Sequence, residues 1–204
     1  ETAAEAKLSA SDLAVKIADR ILATTTYEFK NTKTGKTYKS VKNLPLDMNV
    51  KVACKYNNWH YTNGVTHIAL MELADKTGAK KYDDYVLKNM NFVFNEGNLD
   101  FFKKQYEQAM KNEGWYGVRK LSWHMIFRGK RLDDNGPMGA SLIDLQIKHP
   151  NNSFLNYINE TAEHLNYGEP RLADGTIARI WPHENTIWAD DAFMAISFLA
   201  RMAR

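Results

Sequence analysis

Three stretches of this chain are apolar on almost every side and rich in small residues: GVTHIALMEL from Gly64, GASLIDL from Gly139 and MAISFLA from Met194. A helix without a polar face has nothing to offer water, so each must be buried on most sides. Between them run amphipathic helices, around residues 82–94 and 155–165, which keep one polar face. Buried and amphipathic helices in alternation predict an all-α fold of two concentric layers, with the apolar helices forming the inner ring. The periodicity is architectural, without a sequence repeat of fixed length.

The remaining elements follow from periodicity and capping. Leu13, Ile17 and Ile21 mark one face of a first helix, with Ser9 or Ser11 as its N-cap. Residues 27–58 read as a long loop with short strands. A helix over residues 61–76 ends at Gly78. Tyr82, Tyr85, Val86, Met90 and Val93 define the next, and a short one covers residues 99–111. Residues 113–131 read as irregular. A helix follows Pro137 and runs through Ile147, stopping before Pro150. Leu155, Ile158, Ala162 and Leu165 form a stripe ahead of Gly168, and the last helix starts near Asp190. His67 and Asp144, inside apolar helices, read as satisfied core polar groups.

Composition narrows the function classes. With 44% hydrophobic residues in 204, a sizeable core is available and extensive disorder is not expected. A net charge of +3 is too small to argue for nucleic acid, and the basic GKTYKSVK stretch from Gly35 reads as a solvated turn. No apolar run reaches membrane-spanning length, so no membrane partner is expected. Cys54 is the single cysteine, which excludes an intramolecular disulfide. The chain starts at Glu1 without a methionine, which fits a processed signal peptide or a trimmed start. That leans toward a periplasmic or secreted location over a cytoplasmic one.

Polar and aromatic residues sit just ahead of each inner helix: Trp59-His60-Tyr61, Asp133-Asp134-Asn135 and Trp188-Ala189-Asp190. This places all three at one rim. Trp181, His183, Glu184, Asn185 and Trp188 lie within ten residues of Asp190, the composition of a carbohydrate pocket. No His/Cys/Asp cluster has metal-ligand spacing and no Gly-rich phosphate loop occurs, so neither metal nor cofactor is expected.

The motifs NNWHYTNGVTHIALMEL from Asn57, RLDDNGPMGASLI from Arg131 and ADGTIARIWPHENTIWADDAFM from Ala173 resemble the unsaturated glucuronyl and rhamnogalacturonyl hydrolases. The likeness spans nearly the whole chain and is strongest in the last two motifs. It implies an (α/α)6 toroid of six helical hairpins. This chain, a single domain over residues 1–204, supplies about seven of twelve helices and is expected to be the N-terminal half or so. The missing hairpin would leave apolar faces on the first helix and on the last (Phe193, Ile196, Phe198, Leu199). Self-association, pairing with a separate C-terminal half, or a larger parent chain would cover them.

The resemblance further implies removal of a 4,5-unsaturated uronic acid from the non-reducing end of lyase-generated oligosaccharides of the rhamnogalacturonan or pectin type. Asp190, two places after the motif tryptophan, looks like the family's general acid/base, and Asp134 like its second functional acid. Burial and a second carboxylate would raise the pKa of Asp190. Trp59, Tyr61 and Trp188 would stack on sugar faces, and Arg179 or His183 would meet the substrate carboxylate. Asp191 is assigned to structure. Each role has a structural rival: helix N-terminal acids for Asp190, Asp133 and Asp134, core packing for the aromatic residues. Two other functions remain open, a noncatalytic glycan-binding or scaffold protein and another (α/α) toroid glycosidase or epimerase.

Overall fold

A computed structural model of the chain describes residues 9–128 and 131–204, with the side chain of Asp134 outside the description. Helix α1 (Ala10–Thr24) starts at Ser9, whose Oγ accepts from the Asp12 N–H at 3.1 Å while Asp12 accepts from the Ser9 N–H at 3.3 Å. That reciprocal cap selects Ser9 over Ser11. The loop region carries three short strands, β1 (Phe29–Asn31), β2 (Thr37–Tyr38) and β3 (Val50–Val52). They form an antiparallel sheet in the order β2-β1-β3, with Phe29 opposite Tyr38 and Val52. Alternation buries Phe29, Val50 and Val52, and Phe29 packs on Phe101 and Phe102.

Helix α2 (Tyr61–Thr77) ends where Gly78 takes φ 70°, the left-handed cap its missing Cβ allows. Then come α3 (Lys81–Val93), α4 (Glu96–Val118) and the short α5 (Met125–Arg128). Helix α4 runs further than periodicity predicts, but its geometry breaks at Gly114 (φ 60°, ψ −149°), within the segment read as irregular.

Helix α6 (Leu132–Lys148) starts ahead of Pro137, not after it. Pro137 is the sixth residue of the helix, past the free N–H groups of the first turn, so it forgoes one bond of the helix ladder. Asp133 and Asp134 therefore lie in its first turn and are not caps. Helix α7 (Asn152–Glu163) passes directly into a π-helical turn (His164–Gly168). Its buried stripe is Phe154, Ile158, Thr161 and Leu165, while Leu155, expected inside, faces out. Starting the stripe at Phe154 brings a larger ring inward and keeps i, i+4, i+7 and i+11 on one face. Helix α8 (Ala189–Met202) completes eight α-helices among the described residues.

Helices α2, α6 and α8 lie side by side, with α6 between the others; α3 packs behind α2 and α7 behind α6. Glycines set the spacing. A Cβ on Gly64 would strike the backbone of Pro137 and Met138, and one on Gly136 the backbone of Met194. Further along, Lys148 pairs with Asp75 at 2.8 Å and Arg201 with Asp144 at 2.7 Å. Early residues thus meet early residues and late meet late, so the three inner helices run parallel with their N-termini at one rim. This is the two-layer arrangement of an (α/α) toroid. Asp144 is satisfied by its ion pair; His67 is fully buried with no hydrogen-bond partner for either ring nitrogen among the described residues, contrary to expectation.

Phe193, Ile196 and Leu199 on α8 are exposed, as are Leu13 and Ile17 on α1. Phe198, grouped with the exposed face by the sequence reading, is instead fully buried, its Cδ2 2.8 Å from where a Cβ on Gly139 would lie. The small residue opposite makes room for the ring.

Candidate active site

The N-termini of α2, α6 and α8 bring the three polar-aromatic segments to the same end of the helix layer. Trp188 caps α8, and its backbone N–H donates to Asp191 Oδ2 at 3.0 Å. Asp190 and Asp191 are the second and third residues of that helix, where the positive end of the helix dipole favours carboxylates. Adjacent helical positions point about 100° apart, so the two acids meet different surroundings. The side chain of Asp191 is 6% exposed and that of Asp190 is 55% exposed.

The chain ahead of α8 folds back on itself through residue pairs Arg171↔Ile177 and Arg179↔Thr186. This sends Arg179 inward under the rim. Its Nε lies 2.9 and 2.7 Å from the two carboxylate oxygens of Asp191, and its Nη2 2.6 Å from Asp191 Oδ1. The same Nη2 reaches Asp133 Oδ1 at 3.1 Å and lies 3.9 Å from Asp190 Oδ1. The guanidinium also sits 4.3 Å from the centroid of the Trp188 ring, a cation–π distance. Asp191 first, then the charges of Asp133 and Asp190, hold the Arg179 proton more tightly than usual against a desolvation cost. One side chain therefore joins the LDD segment of α6 to the WADD segment of α8.

Three expectations are corrected by this geometry. Arg179 does not present its whole guanidinium to a substrate carboxylate, because Nε and Nη2 are engaged by Asp191 and Asp133. Trp59 is not a sugar platform: it is fully buried, with Tyr157, Phe94 and Trp123 around its ring at 4.8, 6.2 and 6.4 Å. Its size and apolar area make the aromatic core the better home. The burial foreseen for Asp190 is not provided by the described residues.

The other candidates stand at the surface. Tyr61 opens α2, partly exposed, with the His60 ring 4.6 Å away. Trp188 is partly exposed beside Arg179. His183 is exposed, and its carbonyl accepts from Thr186 Oγ1 at 2.8 Å. Asp134 lies in the first turn of α6, and its side chain is outside the described residues.

Sequence reasoning missed two features. The first is the Arg179 clamp, which the doubled acids at both helix starts could have signalled, since each buried carboxylate needs a cation. The second is a pair formed by His164 Nε2 and Glu169 Oε1 at 3.2 Å, just past α7. Burial pushes the Glu169 carboxyl up, as do the nearby charges of Asp191 and Asp133, while His164 opposes them. No motif announced it.

No individual curated protein matches the chain. The family model described as Glycosyl Hydrolase Family 88 does, over residues 33–204, which takes in every inner helix and all three rim segments. The chain therefore belongs to glycosyl hydrolase family 88, the unsaturated glucuronyl and rhamnogalacturonyl hydrolases, glycoside hydrolases that act on unsaturated uronic acid.

Proposed function

We propose that this chain carries the catalytic carboxylates of a hydrolase that removes a 4,5-unsaturated uronic acid from the non-reducing end of lyase-generated, pectin-type oligosaccharides. The observation that carries the reading is the pairing of two helix starts. Trp188 and Asp190 open α8 beside the first turn of α6, which holds Asp133 and Asp134, and Arg179 bridges the two turns.

In this reading Asp190 is the general acid/base. The ring oxygen and the C4=C5 bond of the unsaturated sugar form an enol ether. Protonated Asp190 delivers its proton to C4, and positive charge builds at C5 and the ring oxygen. Water then adds at C5 while the Asp190 carboxylate takes its proton, restoring the acid. The resulting hemiketal opens and releases the remaining glycan. The carboxylate spacing that separates retaining from inverting glycosidases does not govern this route. Asp134 serves as the second acid, holding sugar hydroxyls and biasing the protonation of Asp190. The exposure of Asp190, Trp188 and Tyr61 leaves them accessible to a sugar at the rim.

The test is the ultraviolet band of the enol ether. Added to lyase-digested pectin, the protein should bleach that band with time, and Asp190→Asn should not. Binding of the digest without bleaching would instead support the noncatalytic glycan-binding reading.

A further inference from the structure

Residues 28–55 carry seven lysines against two carboxylates, whereas the whole chain nets only +3, so the rest of the chain is net acidic. Five of the seven, Lys30, Lys33, Lys36, Lys39 and Lys42, recur at every third position, and all five are exposed. The basic stretch from Gly35 is thus one part of a larger basic surface built on the sheet. Alternation turns Phe29 and Asn31 inward, and Val50 and Val52 with them, so Lys30 and Lys51 face out together. The register makes these two direct cross-strand partners. Like charges directly opposite on a sheet repel. Among the described residues no lysine of this segment is in an ion pair. Of the segment's own acids, Asp47 turns its oxygens to the side chains of Asn31 and Asn49, and Glu28 stands exposed ahead of β1.

We propose that the outward face of this sheet is a docking surface for acidic polysaccharide, which it holds through charge. Its place in the fold suits that task. Phe29 packs on Phe92 at 5.7 Å, and Phe94, two residues on, meets Trp59 at 6.2 Å beside the start of α2. The sheet therefore stands at the rim end of the molecule. A polymer held there keeps its chain ends at high local concentration near the rim. The biological ligand rests on the glycan-processing reading: members of this family act on unsaturated uronic acid, and in a pectin-type polymer the chain behind such an end carries further carboxylates.

The side chains favour this occupant over an anionic membrane. All seven cations are lysines, and the segment has no arginine. A lysine head is a compact charge on a flexible stem, suited to a mobile polyanion, whereas fixed bidentate recognition of phosphate favours arginine. Docking at a lipid interface also calls for exposed Trp, Phe or Leu side chains. Between residues 28 and 55, Leu46 is the single large apolar side chain that is exposed.

Binding at this surface can be measured apart from turnover. Isothermal titration with long polygalacturonate, which lacks unsaturated ends, should show binding that weakens as salt screens the charges. Full methyl esterification of the polymer, which keeps the sugars and removes the carboxylates, should abolish it. Lys30→Gln, Lys36→Gln and Lys39→Gln together should weaken binding at least about tenfold. Lys30→Glu should also weaken it while raising Tm, because the like-charge pair with Lys51 becomes an attractive one. Asp190→Asn should leave polymer binding unchanged. Absence of binding to the acidic polymer overturns the proposal, as does binding that survives esterification or the lysine substitutions. Tighter binding to phosphatidylserine vesicles than to the polymer overturns it in favour of a membrane partner. None of these results depends on the bleaching assay, so failure of the docking surface and failure of the catalytic reading are told apart.

Discussion

Arg179 grips Asp191 through both carboxylate oxygens, with three contacts between 2.6 and 2.9 Å, while Asp191 also accepts the backbone N–H of Trp188. The pair fixes the start of α8 relative to the folded-back segment before it. Arg179→Met should therefore destabilise the chain by roughly 2–3 kcal/mol, the range for charged hydrogen bonds with a partner left behind. Asp191→Asn should cost a similar amount, and the double variant much less than the sum. Urea denaturation of the three variants measures this; strict additivity would show that the two residues are not coupled.

Asp190→Asn should lower turnover by about a hundredfold to ten-thousandfold while leaving substrate affinity largely intact, because the amide keeps the shape and cannot deliver a proton. Asp191→Asn should show the opposite pattern, a loss of stability with a smaller effect on turnover of the folded fraction. Steady-state kinetics beside a thermal melt separate the two. The reverse ranking would move the catalytic assignment by one residue.

His67 makes a prediction about pH. Burial in α2 pulls its pKa from 6.5 down to about 4, so the fold accepts only the neutral ring. The unfolded chain binds the proton more readily, so this contribution is complete above the unfolded value and is lost as pH falls from about 6.5 toward 4. At about 1.4 kcal/mol per pH unit, that amounts to about 3 kcal/mol. His67→Leu should flatten the stability curve between those values in chemical denaturation. An unchanged acid limb would place the acid sensitivity elsewhere.

Gly136→Ala probes the spacing of the inner layer. The added Cβ would run into the Met194 backbone, and relief requires α6 and α8 to separate. Overpacking of this kind costs about 1–3 kcal/mol. Alanine is the better helix former in isolation by about 1 kcal/mol. A stabilised variant in thermal melts would therefore mean the helices are not held at this distance.

Trp59→Ala should cost roughly 3–5 kcal/mol of stability, the range for large aromatic residues in a packed core. Sugar affinity of the remaining folded protein should not change. A variant of normal stability with weakened sugar binding would return Trp59 to the site.

What the sequence determined by itself was the identity and order of the layers. The small-residue, all-apolar character of the segments from Gly64, Gly139 and Met194 forced them inside, and the Gly78 cap bounded α2 from local chemistry alone, while the choice of Ser9 over Ser11 at the start of α1 fell to the structure. The motif tryptophan and its acids located the rim for the same reason: helix starts are local features. Only the tertiary structure decided which of two neighbours is buried. Asp190 and Asp191 are chemically identical, and Phe154 and Leu155 nearly equivalent in hydropathy; a rotation of about 100° around the helix axis separates each pair. It likewise decided that Trp59 belongs to the aromatic core and that Arg179 commits Nε and Nη2 to Asp191 and Asp133. Those choices depend on partners 12 and 46 residues away from Arg179, at distances where sequence spacing carries no geometric information and only packing brings the charges together.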